Sequence, residues 1–171
     1  MAQTSIKLVD SQVSQGRGGK YLTFALSNEE YGVCILKVKE IIGIMDITQV
    51  PGMPEYAKGV VNLRGKVIPI IDLRLKFHME EKGYDSRTCI IVVEISGARD
   101  SDDILIGIVV DSVSEVLTVA ESDTEPPPDF GMHTQKSNIL GMAKVGGKVK
   151  ILLDIDRVLT REELAALTDN D

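Results

Sequence analysis

Residues 59–72 have the sequence GVVNLRGKVIPIID, and a related sequence recurs near the end of the chain. Two β-branched runs flank Arg64-Gly65, and glycine tolerates the positive φ that a tight hairpin turn requires. The pattern therefore predicts a strand, a turn and a second strand. Pro69 has no backbone N–H to donate, so we expect the second strand to lie at a sheet edge or to carry a bulge there.

The recurrence involves two sets of residues, and the register is constant within each set. One set of residues aligns at an offset of 82 positions (141 − 59): Gly59 with Gly141, Gly65 with Gly147, and Asp72 with Asp154. An earlier set aligns at an offset of 75 positions (107 − 32): Gly32 with Gly107, Val38 with Val113, and Glu40 with Glu115. The chain is therefore interpreted as two versions of one structural unit.

Short apolar runs with alternating or β-branched residues, separated by turn residues, predict about five strands in each unit. Such a unit can close into a small barrel with little exposed edge. Thr160 and Glu163 fit a capping box that begins a short C-terminal helix. The predicted organisation is a flexible tail at 1–18, a first barrel at 19–87, a second barrel at 88–159, and a C-terminal helix with an acidic tail at 160–171.

The composition and the net charge limit the classes of partner that the protein is expected to bind. Of the 171 residues, 43% are apolar and 26% are charged, as in an ordinary globular protein. The net charge of −7 argues against binding to nucleic acid or to an anionic membrane, because both favour clustered lysine and arginine. No apolar run reaches the roughly 18 residues that a membrane span requires, and residues 1–8 lack a signal-peptide pattern. Cys34 and Cys89 lie in apolar runs, so we expect reduced thiols in a cytoplasmic protein.

The sequence contains few residues suited to catalysis or metal binding. His78 and His133 are its two histidines, and neither has a second ligand at a metal-binding spacing. Asp72, Asp111 and Asp154 follow predicted strands, where an aspartate most often caps a turn. We therefore expect no enzyme activity, no metal and no cofactor. Two alternatives stay open: a hydrolase, which needs a deep pocket joining two of these aspartates, and a small nucleic-acid-binding barrel, which the repeated GKV tripeptide would suit.

A protein-binding role is better supported, and the comparison of the two units indicates where. Arg64 stands at the tip of the first hairpin, whereas Gly146 takes its place in the second. A charged side chain that the shared fold does not require is a candidate for contact with a partner. Glu40 lies in a segment expected to neighbour the hairpin, so we predict an ion pair with Arg64. Since exposed pairs add only about 0–1 kcal/mol to stability, the pair would mainly orient the arginine.

Three segments resemble the CheW family of bacterial chemotaxis coupling proteins: GVCILKVKEI at 32–41, GVVNLRGKVIPIIDLR at 59–74 and GIVVD at 107–111. The likeness covers residues 19–168. It implies a mainly β fold of two tandem five-stranded SH3-like β-barrels with short helical turns and a short C-terminal helix. It also implies a non-enzymatic adaptor, monomeric in isolation, that is cytoplasmic and recruited to membrane receptor arrays. The chain departs from the family at 99–103, RDSDD, which makes a loop longer than usual.

The resemblance further implies two protein partners: the histidine kinase CheA, through its regulatory domain, and the cytoplasmic tips of methyl-accepting chemotaxis receptors. It places the receptor's helical tip in the groove between the barrels, touching Val38, Glu40, Gly59, Arg64, Cys89, Val113 and Val116. It implies a kinase contact on the first barrel, which we assign to Ile44, Met45, Ile47 and Val50. A second contact, closing mixed rings of adaptor and kinase, is expected near Phe130. Neither nucleic acid nor direct membrane insertion is expected.

Overall fold

A computed structural model describes residues 16–96, 103–127 and 138–168. Eleven strands lie within these ranges, and with two short α-helices they make a mainly β fold. The strands are β1 (Gly19–Leu26), β2 (Glu29–Cys34), β3 (Val38–Gly43), β4 (Ala57–Leu63), β5 (Lys66–Asp72), β6 (Cys89–Ser96), β7 (Asp103–Val110), β8 (Ser112–Val119), β9 (Thr124–Glu125), β10 (Ile139–Val145) and β11 (Lys148–Leu153). The helices are α1 (Leu73–Lys76) and α2 (Arg161–Thr168), and single 3₁₀ turns cover Ile35–Lys37, Glu121–Asp123 and Ile155–Arg157.

The strands form two sheets, and each sheet contains strands from both halves of the chain. The five-stranded sheet has the order β3-β6-β7-β5-β4, and the six-stranded sheet has the order β8-β1-β2-β11-β10-β9. This confirms the predicted mainly β fold. However, the hairpin β6–β7 lies in the sheet of the first unit, and the hairpin β1–β2 lies in the sheet of the second. The two units have therefore exchanged their opening hairpins, so neither sheet is built from residues 19–87 or 88–159 alone.

The strand register confirms the repeat. β5 runs parallel to β7 with Ile70 opposite Gly107, and β11 runs parallel to β2 with Leu152 opposite Gly32. Ile70 and Leu152 are related by the offset of the hairpin repeat, and Gly32 and Gly107 by the offset of the earlier repeat. The same backbone pairing thus occurs once in each sheet.

Pro69 lies inside a sheet and not at its edge, which corrects part of the prediction. It is opposite Val60 of β4, and the pairing of β5 with β7 begins one residue later at Ile70. Val60 directs its own N–H and C=O to Thr48, so Val60 and Pro69 face each other as a non-hydrogen-bonded pair. The missing N–H of Pro69 therefore falls where β5 has no partner, and the strand tolerates proline as an edge strand would.

One large core holds the two sheets together. It contains buried apolar side chains of β1, β6 and β7 together with residues of α2. Phe24, Ile91 and Ile108 are fully buried in it, and Leu164 of α2 is also buried there. A smaller core belongs to the five-stranded sheet and another to the six-stranded sheet.

The capping residues behave as the sequence predicts. Asp72 accepts a hydrogen bond from Arg74 N at 3.0 Å and caps α1. At α2, Glu163 N donates to Thr160 Oγ1 at 3.1 Å, and Thr160 N donates to Glu163 Oε1 at 2.8 Å. These two bonds complete the capping box and fix the start of the C-terminal helix.

Candidate interaction surface

Arg64 and Glu40 form the ion pair that the sequence predicts. Arg64 has φ 53° and Gly65 has φ 84°, so both residues of the β4–β5 turn adopt the left-handed conformation of a type I′ hairpin. The Arg64 guanidinium donates from Nη1 and Nη2 to the Glu40 carboxylate, with Nη2 3.0 Å from Oε2. These hydrogen bonds hold the pKa of Glu40 below its usual value. The arginine side chain is 70% exposed, so its outer face is open to a partner.

The ion pair joins two strands that are not neighbours in the sheet. Glu40 lies in β3 and Arg64 follows β4, and these are the two edge strands of the five-stranded sheet. The sheet is therefore curled so that its edges approach each other, as in a small barrel. The pair consequently holds Arg64 in an orientation that its own hairpin would not fix.

The apolar residues predicted to contact a receptor come from both sheets. Val38 of β3 and Cys89 of β6 belong to the five-stranded sheet, whereas Val113 and Val116 lie in β8, an edge strand of the six-stranded sheet. Val38, Cys89 and Val113 are partly buried against the large shared core. Val116 is 51% exposed. The structure thus brings Glu40 and Arg64 into contact and sets three of the four apolar residues against the core common to both sheets.

Gly59 has a structural role that the sequence analysis missed. It is buried, its φ is 140°, and a Cβ built on it would lie 2.1 Å from the carbonyl oxygen of Thr48. Thr48 is held there because its N–H and C=O both bond to Val60, at 2.8 and 2.9 Å. Gly59 therefore offers no exposed surface to a partner, and glycine is needed for the close approach of two backbones. This approach is non-local, so only the structure could reveal it.

The four residues assigned to the kinase contact differ in exposure. Ile44 is 37% exposed, whereas Met45 and Ile47 pack against the core of the five-stranded sheet. Val50 is partly buried. Segment 44–50 contains no regular strand, and its one ladder contact is the bridge from Thr48. Ile44 is consequently the residue of this group best placed to touch another protein.

An exposed apolar residue beside this segment was also missed. Val67 is 68% exposed and lines a surface depression of about 630 Å³ together with Val50, Ile104 and Leu167. The exposure of Val67 could have been predicted from the sequence, because side chains along a strand such as β5 point alternately inward and outward. Ile68 faces the core, so the preceding residue must point outward.

Some predicted positions fall on parts of the chain that the structure does not describe. Phe130, the expected second ring contact, lies outside the described residues. His133 and residues 99–102 of the acidic loop also lie outside them.

Each strand-end aspartate has a structural partner. Asp72 accepts a hydrogen bond from Tyr84 Oη at 2.9 Å, in addition to the bond that caps α1. Asp111 accepts two from the Arg74 guanidinium, at 2.8 Å from Nε and 2.7 Å from Nη2. Asp154 caps the 3₁₀ turn that follows β11. These contacts account for the three carboxylates without assigning them to catalysis.

Three further observations apply to the described ranges. Within 16–96, 103–127 and 138–168, no three or more potential metal-ligating side chains come together. Cys34 and Cys89 are free thiols. No helix in the described part of the chain is long and apolar enough to cross a membrane.

Comparison with known proteins identifies the family. Residues 20–163 match the model of the CheW-like domain. The chain is 42% identical over 153 residues to the chemotaxis protein CheW of Klebsiella aerogenes, covering 90% of this chain and 88% of that protein. It is 32% identical over 145 residues to CheW of Bacillus subtilis, covering 85% and 89%. The crystal structure of the scaffolding protein TtCheW from Thermoanaerobacter tengcongensis superposes with a TM-score of 0.75 at 34% identity, covering 85% of this chain and 97% of that one. This agreement in sequence and in fold, which is consistent with two SH3-like β domains, shows that the chain belongs to the CheW family.

Proposed function

We propose that this protein is a non-enzymatic adaptor of bacterial chemotaxis that couples receptor tips to the histidine kinase CheA. The relatives carry the name of a chemotaxis protein, and the structural neighbour is a scaffolding protein. The observation that carries the proposal is the exposed guanidinium of Arg64, held by Glu40 across the closure of the five-stranded sheet. A fixed charge on a rigid sheet suits the binding of one partner in one orientation.

The receptor would bind beside this arginine through an amphipathic helix. Val38 and Val113 supply apolar contacts that are only partly buried in the free protein, and Val116 supplies an exposed one. An apolar helix face would cover these side chains, while Arg64 would fix its register through an acidic or amide side chain. Gly59 would contribute to this surface indirectly, because it allows the backbone of Thr48 to approach β4 closely.

The kinase would bind on the segment around Ile44, through the regulatory domain of CheA. Ile44 projects from a segment whose neighbours Met45 and Ile47 are anchored in the sheet core. An exposed apolar side chain on an anchored backbone loses little freedom when a partner covers it. A further contact at Phe130 would close rings of adaptor and kinase, and the assembly would be recruited from the cytoplasm to receptor arrays at the membrane.

Arg64→Glu is expected to weaken receptor binding by about tenfold or more, because it places a second carboxylate beside Glu40 where the partner meets a cation. Its thermal unfolding and its affinity for the CheA regulatory domain should be unchanged, since exposed ion pairs add about 0–1 kcal/mol. Titration calorimetry with a purified receptor-tip fragment and with the kinase domain measures both. Lys66→Glu is the matched control, because it makes the same charge change at an exposed residue of the same hairpin. Equal receptor affinities of wild type and Arg64→Glu would contradict the receptor assignment.

Ile44→Ser is expected to reduce the affinity for the CheA regulatory domain by about three- to tenfold, because it removes apolar area from the proposed contact. Receptor-fragment affinity should stay at the wild-type value. Val149→Ser is the control, since Val149 is 53% exposed and lies in the six-stranded sheet. Pull-down and calorimetry with the isolated kinase domain test the pair of variants. If both variants bind the kinase as well as wild type does, the contact lies elsewhere.

A further inference from the structure

Glu115 occupies the same position in the six-stranded sheet that Glu40 occupies in the five-stranded sheet. Glu40 pairs with Val92, and the next residue along β3, Ile41, pairs with Ile91. The residue after Glu115 is Val116, which pairs with Leu22. Glu115 itself faces Thr23, whose Oγ1 donates to Glu115 O at 2.9 Å and accepts from Glu115 N at 3.2 Å. The two glutamates therefore stand at equivalent places on equivalent edge strands.

The hairpin turns at Arg64-Gly65 and Gly146-Gly147, which are equivalent by the repeat, have the same backbone but different side chains. Gly146 and Gly147 have φ 59° and 80°, close to the 53° and 84° of Arg64 and Gly65. A Cβ built on Gly146 would meet no atom within 4 Å. The second hairpin thus reproduces the turn that carries Arg64 and lacks only the arginine side chain. There is thus open space for the first side-chain carbon at this position.

The carboxylate of Glu115 is exposed and has no cation beside it among the described residues. Lys144 of β10 is engaged by Glu125 of the neighbouring strand, with Nζ 2.8 Å from Oε2. Lys150, within β11, is paired with Glu30. An exposed carboxylate without an ion-pair partner of its own is available to a cation that another protein supplies.

We propose that Glu115 is the docking position for an arginine side chain supplied by the partner, in the place that Arg64 fills in the other sheet. The inference rests on the proposed function, because Glu115 lies on β8 between Val113 and Val116, two residues of the proposed receptor surface. A receptor helix that covers these valines would run past Glu115, which lies between them on the same edge strand. Arginine is favoured over lysine because the Glu40–Arg64 pair shows a guanidinium binding both carboxylate oxygens at this position.

The internal repeat also supplies a means of testing the proposal. Gly146→Arg places an arginine on the second hairpin in the backbone conformation that Arg64 already adopts, so it satisfies Glu115 from within the chain. It should then exclude the arginine of the partner. Glu115→Gln removes the negative charge and keeps the shape of the side chain. Both variants should therefore impair the same contact by different means.

The experiment measures the affinity of the full chain for a purified receptor cytoplasmic-tip fragment by calorimetry. We expect Glu115→Gln and Gly146→Arg each to weaken binding by about three- to tenfold. The double variant Glu115→Gln/Gly146→Arg should be no weaker than either single variant, because the contact is already lost. Glu29→Gln, which neutralises another exposed glutamate of the same sheet, is the control and should bind as wild type does.

A second arm identifies the arginine on the partner. Each arginine of the receptor fragment is replaced by glutamine in turn, and one replacement should weaken binding to wild type but not to Glu115→Gln. This arm also keeps the proposal testable if Gly146→Arg fails to fold. Wild-type affinity of Glu115→Gln, or the absence of any such arginine, overturns this inference and leaves the proposed function standing. Failure of the wild-type chain to bind the fragment at all removes the proposed function and this inference with it.

Discussion

Gly59→Ala is expected to lower the free energy of unfolding by about 3 kcal/mol or more. The added Cβ would lie 2.1 Å from Thr48 O, and no side-chain relaxation can relieve this clash, because the oxygen belongs to a backbone and the position of the Cβ is fixed by its own backbone. The φ of 140° is a further obstacle, since such strained conformations cost a non-glycine residue about 1–3 kcal/mol. Relief of the clash would break the two hydrogen bonds between Thr48 and Val60.

Urea unfolding followed by circular dichroism measures the loss, and hydrogen exchange at the amides of Thr48 and Val60 locates it. Gly43→Ala is the matched control, because a Cβ there meets nothing within 4 Å and the stability should change by about 1 kcal/mol at most. A Gly59→Ala protein as stable as wild type would show that β4 and segment 44–50 can separate freely. If that stable variant also lost receptor binding, Gly59 would act as a direct contact after all.

Local patterns predicted the parts of the fold that depend on neighbouring residues. The turn at Arg64-Gly65 and the cap at Asp72 follow from residue types whose conformational preferences act within a few positions. The repeat predicted two versions of one unit, and equivalent residues of these units do take equivalent places in the two sheets. The Arg64–Glu40 contact was predicted by combining both kinds of information.

The exchange of the opening hairpins could not be predicted from the apolar pattern. The hairpins β1–β2 and β6–β7 are versions of one element, so either of them buries an equivalent apolar face in either sheet. The observed arrangement is instead compatible with the charges, because it forms two ion pairs, Arg74 with Asp111 and Lys37 with Asp156. Arg74 and Asp156 are equivalent residues of the repeat. This position therefore supplies the positive charge in one pair and the negative charge in the other, so the two pairs have opposite polarity.

That polarity disfavours closure of each unit on its own hairpin. Without the exchange, the repeat would place Arg74 near the segment that contains Lys37, and Asp156 near the segment that contains Asp111. Both contacts would join like charges, whereas the observed arrangement joins opposite charges at 2.7 and 2.8 Å. The information lies in four charged residues that are far apart in sequence, which explains why strand patterns alone did not reveal it.

Asp111→Asn should lower the free energy of unfolding at pH 7 by about 2–4 kcal/mol, because removing one partner of a partly buried ion pair leaves the other charge uncompensated. The side chains of Arg74 and Asp111 are each only 14% exposed. Asp111 also accepts a hydrogen bond from Ser27 N at 2.8 Å, so it ties the β1–β2 turn to α1. The equivalent pair provides a control: Asp156 accepts from Ser96 N at 3.1 Å and binds Lys37, but these side chains are 30% and 35% exposed. Asp156→Asn should therefore cost only about 0–1 kcal/mol.

The pH dependence of the Asp111→Asn difference tests whether charge is the cause. Burial raises the pKa of the Asp111 carboxyl, but the hydrogen bonds from Arg74 and Ser27 N outweigh it and hold the pKa below the usual 3.8. A carboxyl with a lowered pKa in the folded state stabilises the fold fully above the pKa of the unfolded state, and this contribution disappears as the pH falls through the folded value. The difference between wild type and Asp111→Asn should thus be constant from pH 7 to about pH 5 and shrink below about pH 4. A difference that persists unchanged below that range would mean that Asp111 stabilises the junction by shape and neutral hydrogen bonding, and the argument from charge polarity would then lose its basis.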